Sequence, residues 1–142
     1  MHKTILAIML TLTSGLALSS ASGCGDDGIC SDDQNCVLSG DKSYSHTCGT
    51  DTGCNYTCKD GATCHLKCPS GNCRVVGNNA KEVIVDCVGN NCHLQCTNTD
   101  VCQINSCTAG CDLQCTAAQT CENSCNADSG CDTVDDGIPS GY

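Results

Sequence analysis

Nineteen cysteines in 142 residues are the side chains numerous enough to carry chemistry here. Thiols in such density serve as metal ligands, as nucleophiles or as disulfides. Zinc-ribbon and metallothionein-like sites use C-x-C or C-x-x-C, spacings that let two thiolates reach one ion. The nearest cysteines in this chain, such as Cys54 and Cys58, stand four apart. A catalytic thiol must have a low pKa and sit beside a base. No histidine or carboxylate is tied by spacing to a cysteine or a serine in that way. No glycine-rich phosphate loop opens a helix, and no carboxylate pair stands apart from turn acids. His65 and His93 each follow the first cysteine of a segment and fall on opposite outer faces. The expectation is therefore no catalytic residue, no metal site and no cofactor, with the sulfur used in disulfides.

The cysteines recur in a frame. Cys54, Cys73, Cys92 and Cys111 are each 19 apart, and so are Cys64, Val83, Cys102 and Cys121. A fixed period with two sub-segments marks a repeat architecture. Each sub-segment alternates: Cys92, Leu94 and Cys96 share one side, His93 and Gln95 the other. Period two indicates half-buried strands. The linkers K-D-G-A-T, P-S-G-N, G-N-N and T-A-G are turn chemistry and poor helix material. Each copy therefore reads strand, turn, strand, turn. Stacked copies give an all-β, narrow, two-sided β-solenoid of about five 19-residue coils, disulfide-stapled at the turns. Its interior is expected to hold Tyr56, Leu66, Val75, Val85, Leu94, Ile104 and Leu113, with Asn123 and Thr133 at a fading end. Residues 36–40 and 44–48 form a degenerate first copy, in which Gly40 takes the closing-cysteine position and Tyr44 stands opposite.

In a flattened coil the last cysteine of one strand and the first of the next face each other across a corner. Pairing neighbours gives Cys30–Cys36, Cys48–Cys54, Cys58–Cys64, Cys68–Cys73, Cys87–Cys92, Cys96–Cys102, Cys107–Cys111, Cys115–Cys121 and Cys125–Cys131. The gaps fit this scheme. Where Gly77 replaces a closing cysteine, Val83 replaces its partner. Pairing across a C-x-x-x-C strand fits poorly, because four extended residues span about 13 Å and a disulfide holds its Cα atoms within about 7 Å. Vertical pairing between stacked coils is open to the geometry but leaves cysteines stranded beside the gaps.

The first 23 residues contain no acid and one lysine, Lys3, and Ile5 to Ala21 is apolar with small residues. That is a secretory signal, too short for a membrane span. Nineteen is odd, and Ala21-Ser22-Gly23-Cys24 has the form of a bacterial lipoprotein cleavage box. Lipid on Cys24 would leave an even number for disulfides. The alternative is ordinary cleavage near Ala21, with Cys24 free or paired between chains. The division expected is 1–23 signal peptide, 24–35 tether or cap, 36–135 repeats and 136–142 tail. Removing the signal leaves five basic against sixteen acidic residues. Such a polyanion does not bind nucleic acid by charge. Asp26-Asp27 and Asp32-Asp33 lack the spaced ligands of a calcium loop. Asn55-Tyr56-Thr57 is a glycosylation triplet, poor because cysteines flank it. An acidic column of Asp112, Glu122 and Asp132 would bias the C-terminal end toward cations.

With its C-x-[LVI]-x-C strands joined by Gly, Asn and Thr turns, the chain resembles the cysteine-stapled repeat lipoproteins of myxobacterial type. The stretch from Cys73 to Cys92 also resembles a bacterial domain of V-x-V-x-G-x-x-N repeats. The resemblance covers roughly residues 36–135. It implies a β-solenoid and an exported address, and no activity. A likeness to disulfide-stapled ice-binding solenoids fails on the outward positions Asn55, Arg74, His93, Asp112 and Asp132, which hold no threonine rank. The expected role is an exported, lipid-anchored, non-enzymatic module. Its partners would be the bilayer, through the N-terminal lipid, and an unidentified protein or surface. Its address would be the cell envelope or outer membrane. The alternatives are metal sequestration by reduced cysteines and a freely secreted, disulfide-stabilised effector.

Overall fold

The computed structural model describes residues 35–49, 53–125 and 127–136. Strands of four or five residues alternate between two parallel sheets. One sheet holds β1 (Asn35–Ser39), β3 (Asn55–Lys59), β5 (Arg74–Asn78), β7 (His93–Thr97), β9 (Asp112–Thr116) and β11 (Asp132–Asp135), stacked in that order. The other holds β2 (Ser43–Thr47), β4 (Thr63–Lys67), β6 (Glu82–Asp86), β8 (Val101–Asn105) and β10 (Thr120–Asn123). Each strand pairs in parallel with the strand one coil on, so Arg74 meets His93 and His93 meets Asp112. The fold is the all-β solenoid that the 19-residue frame implies. The ladder does not stop at the strands. Cys68 N donates to Asp86 O, and Cys87 N donates to Asn105 O, so the backbone of the corners is paired as well.

Turn residues explain why the chain can bend at such short intervals. At one edge the residue after each of β1, β3, β5, β7 and β9 has positive φ: Gly40, Asp60, Asn79, Asn98 and Ala117. At the other edge the residue before the opening cysteine does the same at Asn72, Asn91, Gly110 and Gly130. L-residues pay for the left-handed region unless they are glycine or a short polar Asn or Asp. The Asn- and Gly-rich linkers are therefore set by backbone geometry, coil after coil.

The interior is one apolar column per sheet. Tyr56, Val75, Leu94 and Leu113 line the first, and Leu66, Val85 and Ile104 the second; all are buried. The expected interior holds at each of these positions. At the C-terminal end the columns turn polar. Asn123 pairs with Ile104 and Thr133 with Leu113. The Asn123 side chain donates to Cys111 O at 3.2 Å and Asp132 O at 3.3 Å, and accepts from Cys125 N at 3.1 Å. The last coil is thus closed by hydrogen bonds.

The first coil departs from the expected register. Cys36 pairs with Tyr56 and Leu38 with Cys58, so the strand is slipped two residues from the sequence alignment. Leu38, not Gly40, stands in the closing-cysteine position, with Tyr44 opposite in the place of Cys64. The reason is turn length. The first residues of the two strands of a coil lie eight apart, as in Asn55 and Thr63 or Arg74 and Glu82. Asn35 and Ser43 keep that offset, whereas putting Gly40 opposite Cys58 would demand a turn two residues shorter. Leu38 is buried at the vacant corner, and Tyr44 donates its hydroxyl to Ser39 O at 2.7 Å.

Candidate functional site

The chemistry-bearing groups of this molecule are its two edges of sulfur and its two outer faces. Along one edge run Cys48–Cys54, Cys68–Cys73, Cys87–Cys92, Cys107–Cys111 and Cys125–Cys131, all disulfides, with Cα separations of 5.9 to 6.4 Å. Along the other run Cys58–Cys64, Cys96–Cys102 and Cys115–Cys121, at 6.2 to 6.4 Å. Each bond joins neighbouring cysteines across a corner, and no vertical link occurs among them. Cys36, the second residue of β1 and in register with Tyr56, is disulfide-bonded too. Cys30 and Cys24 lie outside the described residues.

The second edge has two positions without sulfur. One is the Leu38/Tyr44 corner. The other is Gly77 opposite Val83, where a Cβ on Gly77 would lie 3.0 Å from Val83 Cγ2 and 3.2 Å from both Cys96 Sγ and Thr99 Oγ1. Valine and the Thr99 side chain fill the room that a cystine occupies elsewhere, and glycine keeps it open.

Stacking brings sulfurs of successive bonds together. Cys48, Cys68 and Cys73 place their Sγ atoms within 4.8 Å of one another, as do Cys87, Cys92 and Cys111, and Cys107, Cys125 and Cys131. Cys48 Sγ lies 3.2 Å from Cys73 Sγ, to which it is not bonded. These groups have the proximity of a metal site without its chemistry. Metals bind the deprotonated thiolate. Every sulfur in the three groups is held in a disulfide, so the metal-sequestering alternative is not favoured.

The faces differ in how their charges are arranged. All five Lys and Arg residues beyond residue 23 lie at or before Lys81, whereas Glu82 to Asp136 contains nine acids and no Lys or Arg. On the second sheet basic and acidic side chains stand on adjacent strands. His65 Nε2 meets the Glu82 carboxylate, and Lys67 sits beside Asp86 in the next strand. On the first sheet they separate. One outward column runs Asn35, Asn55, Arg74, His93, Asp112, Asp132. Only His93 Nδ1 and Asp112 Oδ2, 3.9 Å apart, approach each other within it. Glu122 lies on β10 and faces away on the second sheet, which corrects the expectation of a single Asp112/Glu122/Asp132 column.

His46 was not among the expected interior residues. It occupies the Leu66 column, is 4% exposed, and both of its ring nitrogens are buried without a hydrogen-bond partner. Alternation alone places it inside, between Tyr44 and Cys48. Comparison of the chain with protein-family models, with curated proteins and with solved structures finds no match.

Proposed function

We propose that this chain is a non-enzymatic structural and contact module, exported and held at the cell envelope by lipid on Cys24. The observation that carries the reading is the state of the sulfur. Sixteen cysteines are joined in eight corner bonds, which belong to an oxidising, extracytoplasmic environment. Cys36 takes a further bond. An odd total leaves one cysteine over, and Cys24 stands where a lipobox would modify it. The resemblance to cysteine-stapled repeat lipoproteins supports the same address. A stiff rod with two flat polar faces and no unbonded thiol among the described residues suits contact better than turnover.

The test is the mass of the exported chain's N-terminus. The reading predicts a chain beginning at Cys24 with a thioether-linked diacylglycerol. A chain beginning elsewhere, or an unmodified Cys24, would overturn the anchor and favour the freely secreted alternative.

A further inference from the structure

We propose that the first sheet's outer face pairs with the same face of a second copy, with the two solenoid axes antiparallel. This names a partner for the contact role above, and it rests on that reading only for the geometry of anchoring. The argument begins with the arrangement of charge. Centred on His93 of β7, the outward column carries Arg74 one coil before and Asp112 one coil after. Two coils out stand Asn55 and Asp132. The third outward column carries Lys59 on β3, two coils before β7, where its ammonium also meets the adjacent Asp60 at 3.4 Å, and Asp136 just past β11, two coils after β7. The face is therefore opposite in sign about β7.

A surface with that property is complementary to itself. A two-fold axis lying along β7 turns one face onto the other and reverses the order of coils. It sets Arg74 against the other copy's Asp112, and Lys59 against the other copy's Asp136, each twice. Asn55 falls opposite Asp132. An isologous contact has this form, residue i meeting j and j meeting i. The second sheet has no comparable pattern: His65 meets Glu82 and Lys67 adjoins Asp86 on neighbouring strands, and Glu122 stands two coils further on beside Gln103. Arg74 makes no ion pair or side-chain hydrogen bond among the described residues and is exposed.

The contact is small. Five-residue strands about 17 Å long, stacked over about 24 Å, offer roughly 400 Å² per copy. That lies below the size of stable interfaces, so pairing is weak, salt-sensitive and dependent on local concentration. Anchoring supplies concentration. Reversed axes put the two N-termini at opposite ends of the pair, so anchored rods meet in this way across two facing surfaces.

Sedimentation of the exported chain from 20 µM to 1 mM at 150 mM salt tests the pairing, with or without lipid on Cys24. The expected result is a monomer–dimer equilibrium weakened at least about tenfold by Arg74→Asp and by Asp112→Arg, since each variant sets like charges face to face twice. An equimolar mixture of the two variants recovers association as a heterodimer. The carboxylate introduced at position 74 of one chain then meets the guanidinium introduced at position 112 of the other, while the unaltered Asp112 of the first meets the unaltered Arg74 of the second. A wild-type chain that stays monomeric at 1 mM, a dimer indifferent to both variants, or a mixture no better than its components would overturn the proposal. Beads carrying the chain by its N-terminus should clump under the same rules. Dispersed beads beside a dimer in solution would remove the facing-surface geometry and leave the pairing intact.

Discussion

His46 and Ala117 show what single residues cost in a fold with so little core. His46 fills a place that the next coils give to Leu66, Val85 and Ile104. Its ring lies between Tyr44 and Tyr56, at 6.3 and 6.0 Å between centroids, and neither nitrogen is bonded. A buried polar group left unpaired costs about 1–3 kcal/mol. His46→Leu should therefore stabilise the first coil by about 1–2 kcal/mol, seen as a higher denaturant midpoint of the oxidised protein. A lower midpoint would mean that the imidazole has a partner. Ala117 holds φ of 55°, where its counterparts are Gly40, Asp60, Asn79 and Asn98. Left-handed backbone costs an ordinary L-residue about 1–2 kcal/mol, so Ala117→Gly should raise the midpoint, offset in part by glycine's larger unfolded-state entropy. Both positions were legible in the repeat. Ala117 breaks the Asn/Gly column, and His46 alternates inward. What the sequence did not reveal was that the His46 nitrogens go unbonded, since that depends on the neighbours of one cavity.

Among the elements, the corners decide register. The period was legible because cysteines mark it, and the strands were legible because C-x-L-x-C alternates. The first coil was not, because Cys36 is the opening cysteine in sequence yet lies in register with the interior Tyr56 rather than with Cys54. The constant offset between the two strands of a coil, visible at Asn55/Thr63 and Arg74/Glu82, is the cue that outranks the cysteine there. The Gly77/Val83 corner offers a constructive test. Gly77→Cys with Val83→Cys restores the spacing of Cys58–Cys64 and Cys96–Cys102 in the coil between them. It should form a bond and stabilise by about 2 kcal/mol, the chain-entropy value for so short a loop. Gly77→Ala alone should destabilise, because its Cβ would meet Val83 and Thr99. Differential scanning calorimetry of the three proteins reads both effects. A double variant that keeps two free thiols would show that this corner is not shaped like the others.

For the whole molecule, the balance is between few aliphatic side chains and many bonds. Beyond residue 23 there are sixteen Leu, Ile and Val residues, and the chain has no Phe and no Trp. Each small loop closed contributes about 2–3 kcal/mol by restricting the unfolded chain, so the bonds together outweigh what this interior supplies. Full reduction should accordingly abolish the β-sheet circular dichroism at 25 °C, and reoxidation should restore it. The outward line of Arg74, His93 and Asp112 was legible from the 19-residue frame, and the pairing of β5, β7 and β9 bears it out; the ion pairs along the two faces were not legible, because they depend on side-chain reach between coils. The central claim is that sulfur joins neighbours across each bend, and one peptide reports on it directly. Trypsin cutting after Lys67 and Arg74 in denaturant without reductant isolates residues 68–74, which contain both Cys68 and Cys73. Mass spectrometry should find that heptapeptide free and two hydrogens lighter than its reduced form. Finding it instead tethered to a fragment bearing Cys48, Cys54, Cys87 or Cys92 would contradict the account.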